Sequence, residues 1–135
     1  MSKNTFRKVT AITLVLCMLL AVCGVAFAQE RMITSTHSSF VRNSRTKGTA
    51  SLAANSSNTT NPQITSTMIL QEAPLGSSTY TDSDVDPQVR TVYSSAITHV
   101  ATFPITTTKD YRVKMEIRDV VNSTTYTTIL YEDLQ

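Results

Sequence analysis

Asp82-Ser83-Asp84-Val85-Asp86 sets three carboxylates at alternate positions, the opening of an EF-hand Ca²⁺ loop. Such a loop continues with Gly at its sixth position and Glu at its twelfth. Here those positions hold Pro87 and Tyr93, so an EF-hand is excluded. A looser Ca²⁺ loop completed by backbone carbonyls remains, because hard cations accept oxygen ligands in irregular settings. The competing reading is a solvated acidic turn, where Asp is favoured for its local backbone hydrogen bonds. The acidic turn is the preferred reading, so no cofactor is expected; Ca²⁺ on Asp82, Asp84 and Asp86 is kept as the alternative.

The other reactive side chains point to no reaction. His37 and His99 are the only histidines, and neither has a second His or a Cys at zinc-ligand spacing. His99 alternates with Ile97 and Ala101, which reads as a partly buried, hydrogen-bonded His on a strand. There is no G-x-S-x-G and no strand-turn-helix setting for a nucleophile. Asp110 and Glu116 are acids without an indicated cleft. No catalytic residue is nominated. Tyr80, Tyr93, Tyr126 and Tyr131 are rings that could stack on sugars. Asn55, Asn58 and Asn122 head N-x-S/T sequons, which matter only in a eukaryotic secretory route.

The elements that must position these groups begin after an export signal. Lys3, Arg7 and Lys8 precede an apolar run over residues 9–25, and Ala26-Phe27-Ala28 supplies a small-x-small cleavage site. Residues 1–28 therefore read as a signal peptide, with Gln29 as the new N-terminus and a secreted, extracellular address. Two other outcomes fit the same segment. An uncleaved membrane anchor is one, although the run is short for the roughly 20 residues a span needs. Lipidation at Cys23 is the other, since Leu20-Ala21-Val22-Cys23 resembles a lipobox with Val22 where a small residue belongs.

Cleavage after Ala28 leaves 107 residues, one domain's worth, and removes both cysteines. The whole chain carries a net charge of +2; without Lys3, Arg7 and Lys8, nine basic residues face ten acidic ones, a net −1. Nucleic-acid binding thereby loses its electrostatic support, and disulfide or thiol chemistry loses its residues.

From Gln29 onward there are 14 Ser and 20 Thr, only two Gly, and no helix-period apolar stripe. Thr is β-branched and suits a pleated, half-exposed strand. Strands are expected near residues 38–42, 48–54, 63–72, 79–81, 89–95, 96–105, 110–121 and 125–131. Residues 110–121 are the clearest: Tyr111, Val113, Met115 and Ile117 alternate with Arg112, Lys114, Glu116 and Arg118. Val121-Asn122-Ser123-Thr124 reads as a hairpin turn.

About seven short strands at this spacing predict an all-β, small antiparallel β-sandwich preceded by the signal helix; a closed barrel shares the same alternation. An immunoglobulin-like sandwich is favoured by Lys109-Asp110-Tyr111-Arg112-Val113. There Tyr111 would anchor a corner, and Val113 stands where such domains carry a buried Cys. Residues 29–45 are assigned to a flexible leader or first edge strand, and 46–135 to the sandwich.

Thr46-Lys47-Gly48, the segment Ile64-Thr65-Ser66-Thr67-Met68-Ile69-Leu70-Gln71 and Tyr111-Arg112-Val113-Lys114 resemble a family of small secreted proteins of Gram-positive bacteria. These carry a signal peptide and a single β-sandwich domain. Such proteins often place a Trp in the strand after the Leu-Gln pair, where this chain offers Tyr80 or Tyr93. The resemblance implies a fold and an address but no activity. The leading expectation is a non-enzymatic extracellular sandwich that binds a cell-envelope polymer, a protein partner or itself. The alternative is a Ca²⁺-stabilised accessory module of an envelope assembly, using Asp82, Asp84 and Asp86.

Overall fold

A computed structural model describes residues 33–135; the expected signal at residues 1–28, its cleavage site at Ala28 and Cys23 lie outside the described residues. Eight strands follow in order: β1 (Ile33–Arg42), β2 (Lys47–Ser56), β3 (Gln63–Pro74), β4 (Thr81–Asp82), β5 (Gln88–Val92), β6 (Ala96–Pro104), β7 (Lys109–Val121) and β8 (Thr124–Asp133). Period-2 patterning accounts for the long ones. In β7, Tyr111, Val113, Met115 and Ile117 are buried, and Arg112, Lys114 and Glu116 stand half-buried on the opposite face. In β2, Ala50, Leu52 and Ala54 are buried while Thr49, Ser51 and Ala53 face out.

β1, β2 and β6 form a three-stranded sheet in that order. The second sheet has five strands: β3 pairs with β7, β7 with β8, and both β4 and β5 with β3. Every pairing is antiparallel. The buried faces of the two sheets form one apolar core, so the fold is a sandwich and not a closed barrel. Phe40 of β1 and Phe103 of β6 are fully buried, edge to face, with centroids 6.3 Å apart. That geometry contributes about 0.5–1.5 kcal/mol beyond area burial. Gly48 lies against Phe40, and a Cβ there would come within 2.8 Å of its ring.

Tyr111 does what the corner motif requires. Between β6 and β7 its hydroxyl accepts the Thr106 N–H at 3.2 Å and lies 3.1 Å from Thr106 Oγ1. This bond ties the start of β7 to the loop that leads in from the other sheet, as in immunoglobulin-like sandwiches. Immunoglobulin constant domains divide four strands and three; here the short segments after β3 stay beside β3.

The segment assigned to a flexible leader or first edge strand contains β1, which pairs with β2 from Ile33 to Arg42. Ile33 and Phe40 anchor β1 in the core. There are eight strands, and the edge beside β3 is divided between β4 and β5. The break falls at residues 83–87, where three polar residues and Pro87 interrupt the pairing.

Candidate functional site

Cross-strand register decides which side chains meet on the outer face of the five-stranded sheet. Gln71 of β3 lies opposite both Asp82 of β4 and Arg112 of β7. Its amide donates to Asp82 Oδ1 at 2.7 Å, and its carbonyl accepts from Arg112 Nε at 2.7 Å. Arg112 also stacks on two rings, 4.4 Å from the centroid of Tyr80 and 4.5 Å from that of Tyr131. Each such contact is worth about 0.5–1 kcal/mol at a partly exposed site. The Tyr80 hydroxyl titrates above the ordinary tyrosine range because of burial first, then the carboxylates of Asp133 and Asp110, with Arg112 opposing.

Towards the hairpin the same face continues with Lys114 opposite Tyr131, Glu116 opposite Ile129 and Arg118 opposite Thr127. Lys114 Nζ and Glu116 Oε1 are 2.8 Å apart. This hydrogen bond raises the lysine pKa and lowers that of the glutamate. Pairs of this kind at the surface add little stability. Ile129 and Tyr131 are 47% and 51% exposed. They therefore present apolar surface at the margin of a charged, internally paired face.

The three Asp of the sequence motif do not converge. Among the described residues no three His, Cys, Asp or Glu side chains are grouped so as to hold a metal. Asp82 is committed to Gln71. Asp84 lines a groove of about 270 Å³ that Lys109 also lines. The Lys109 ammonium, 2.7 Å from Glu72, already supplies positive charge there. Its pKa is raised chiefly by that hydrogen bond, with a smaller contribution from Asp84. Asp86 contributes its backbone carbonyl to Gln88 Nε2. Ser83 N–H donates to Leu70 O at 2.9 Å, and Ser83 Oγ accepts from Val85 N–H, so the loop is a bulge stitched by its own serine.

Besides Gln71, the buried polar residues fall into two separate groups, His99 with Ser66 and Asp119 with Ser56, whose Oγ also accepts from Asn58 N–H. His99 Nδ1 is 3.0 Å from Ser66 Oγ across the two sheets, and both residues are buried. Burial pushes the His99 pKa down, and the Arg90 charge adds to the effect. Asp119, with no exposed surface, accepts from Ser56 Oγ, while its Oδ1 has no partner among the described residues. Ser, His and Asp are thus divided between two enclosed groups. His37 lies exposed on β1.

Of the four tyrosines considered for stacking, Tyr80 and Tyr131 are brought together by Arg112, and Tyr93 is 82% exposed. Sequence reasoning placed Arg112 on the outer face but missed Gln71 and the double stack, because both depend on register between distant strands. No protein-family model matches the chain, and no curated protein matches it.

Proposed function

We propose that the chain is an exported, non-enzymatic β-sandwich that works by surface contact with a cell-envelope polymer, a protein or another copy of itself. The contact surface is the β8 side of the five-stranded sheet. One observation carries this reading: Ile129 and Tyr131 stand half exposed on β8 beside the Arg112 clamp. Apolar and aromatic groups set next to fixed polar ones are the usual composition of a binding patch. The signal segment supplies the address, and the absence of a motif for a nucleophile or acid–base pair supports contact over catalysis.

The test uses the exported protein recovered after expression of the full chain. Retention on insoluble peptidoglycan and sedimentation at rising concentration are read side by side for the natural protein and for Ile129→Lys. Retention or self-association that Ile129→Lys weakens is the expected result. A protein that stays monomeric and is not retained, or whose retention ignores the substitution, overturns the proposal.

A further inference from the structure

The backbone of β8 shows where the contact surface is open. Asn122 and Ser123 have φ of 47° and 66°, the positive pair of a two-residue type I′ turn. Val121 and Thr124 flank the turn, so they form a hydrogen-bonded pair, and such pairs recur at every second residue. Even-numbered residues of β8 therefore turn their N–H and C=O to β7, and odd-numbered ones turn them outward. The C-terminal tail obeys the same parity. Leu134 N–H donates to Tyr111 O at 3.0 Å, while Gln135 donates to Phe40 O at 3.0 Å and accepts from Arg42 N–H at 2.9 Å. At Gln135 the outward side is covered by β1. Among the described residues no backbone bond reaches the outward groups of Thr125, Thr127, Ile129 or Tyr131.

Edge strands are ordinarily blunted by charge, proline or a bulge. From Thr124 to Tyr131, β8 has no charged residue and no proline. Its only acids, Glu132 and Asp133, lie at the C-terminal end. An antiparallel copy in register about Thr128 would set Thr127 against Ile129 and Thr125 against Tyr131, the β-branched and aromatic pairs that stabilise sheets. The two acidic ends would then stand roughly 34 Å apart at about 3.4 Å per residue. In this orientation the acidic ends do not meet, so no like charges stand opposite each other.

We infer that β8 pairs with β8 of a second copy of this chain, joining two five-stranded sheets into one continuous sheet across a twofold axis. This rests on the proposed contact surface and names its occupant.

Sedimentation velocity on the exported protein, from micromolar to millimolar concentration, tests it. Thr127→Pro removes an outward N–H and leaves the ladder to β7 intact; Ile129→Lys puts a charge on the edge without touching the core. Val89→Lys, an exposed site on β5, is the control. A concentration-dependent dimer that the first two variants weaken at least about tenfold and the control leaves unchanged is the expected result. Unchanged melting temperatures show that the β8 variants fold. A monomer throughout, or a dimer indifferent to both β8 variants, overturns the inference. A monomer still retained on peptidoglycan through Ile129 overturns only the self-pairing and leaves the wider reading standing.

Discussion

The two edges of the five-stranded sheet are built in opposite ways. On one side the strand beside β3 is broken: Thr81 and Asp82 pair with Glu72 and Gln71, and pairing resumes only at Gln88. Between them residues 83–87 leave the ladder, with Val85 packed against the core and Asp84, Asp86 and Pro87 exposed. On the other side β8 runs for ten residues with no interruption. The difference assigns the acidic motif a physical role that its composition alone does not reveal. Charge, proline and a bulge are the devices that stop one sheet edge from recruiting another. The acidic loop interrupts one edge, while β8, without charge from Thr124 to Tyr131, runs unbroken along the other.

The largest effect is expected from abolishing the contrast. Asp84→Thr, Asp86→Thr and Pro87→Thr together remove both charges and the proline from the broken edge. With two open edges, pairing becomes open-ended, and light scattering should show species growing well beyond a dimer. Dimers of unchanged size would show that the loop does not guard its edge. Closing β8 with Thr127→Pro comes next and should weaken association at least about tenfold, roughly 1.4 kcal/mol or more.

Arg112 spans the two edges, since it stacks on Tyr80, which leads into β4, and on Tyr131 of β8. Arg112→Ala should lower stability by about 1–2 kcal/mol in denaturant titration. Arg112→Lys should recover only part of that loss, because an ammonium cannot stack two rings and donate Nε to Gln71 at once. Full recovery by Lys would reduce the clamp to a simple charge.

How much of this was legible beforehand follows from the physics of each feature. Alternation within one strand is local, so the inward set of β7 and the Ala50, Leu52, Ala54 face of β2 could be read directly. Tyr111 carried its own local motif, and Asn122-Ser123 its turn signal. The Gln71–Arg112 contact joins residues 41 apart, and nothing in either segment announces the pairing. Alternation likewise put His99 inside, but its partner Ser66 comes from the other sheet. That Asp84 and Asp86 fall in a break between two edge strands could not be read from their own segment.

Two smaller effects separate the edges from the core. The folded-state pKa of His99 is depressed, so the unfolded chain binds its proton first on acidification. Stability from this group is present above about pH 6.5 and is lost as pH falls from there through the folded value. Denaturation midpoints should decline over that range, and His99→Gln should flatten the decline. The smallest expected effect is that of Ca²⁺. If the acidic loop acts as an edge guard, melting temperatures in millimolar Ca²⁺ and in chelator should coincide. A rise with Ca²⁺ that Asp84→Asn removes would restore the metal reading.

Amide hydrogen exchange compares the two edges within one sample. The outward N–H groups of Thr125, Thr127, Ile129 and Tyr131 should exchange quickly in dilute protein and become protected as concentration rises. Exchange along residues 81–92 should not change with concentration. Protection confined to β8 is the predicted result; no concentration dependence on β8, or equal protection at both edges, would contradict the account.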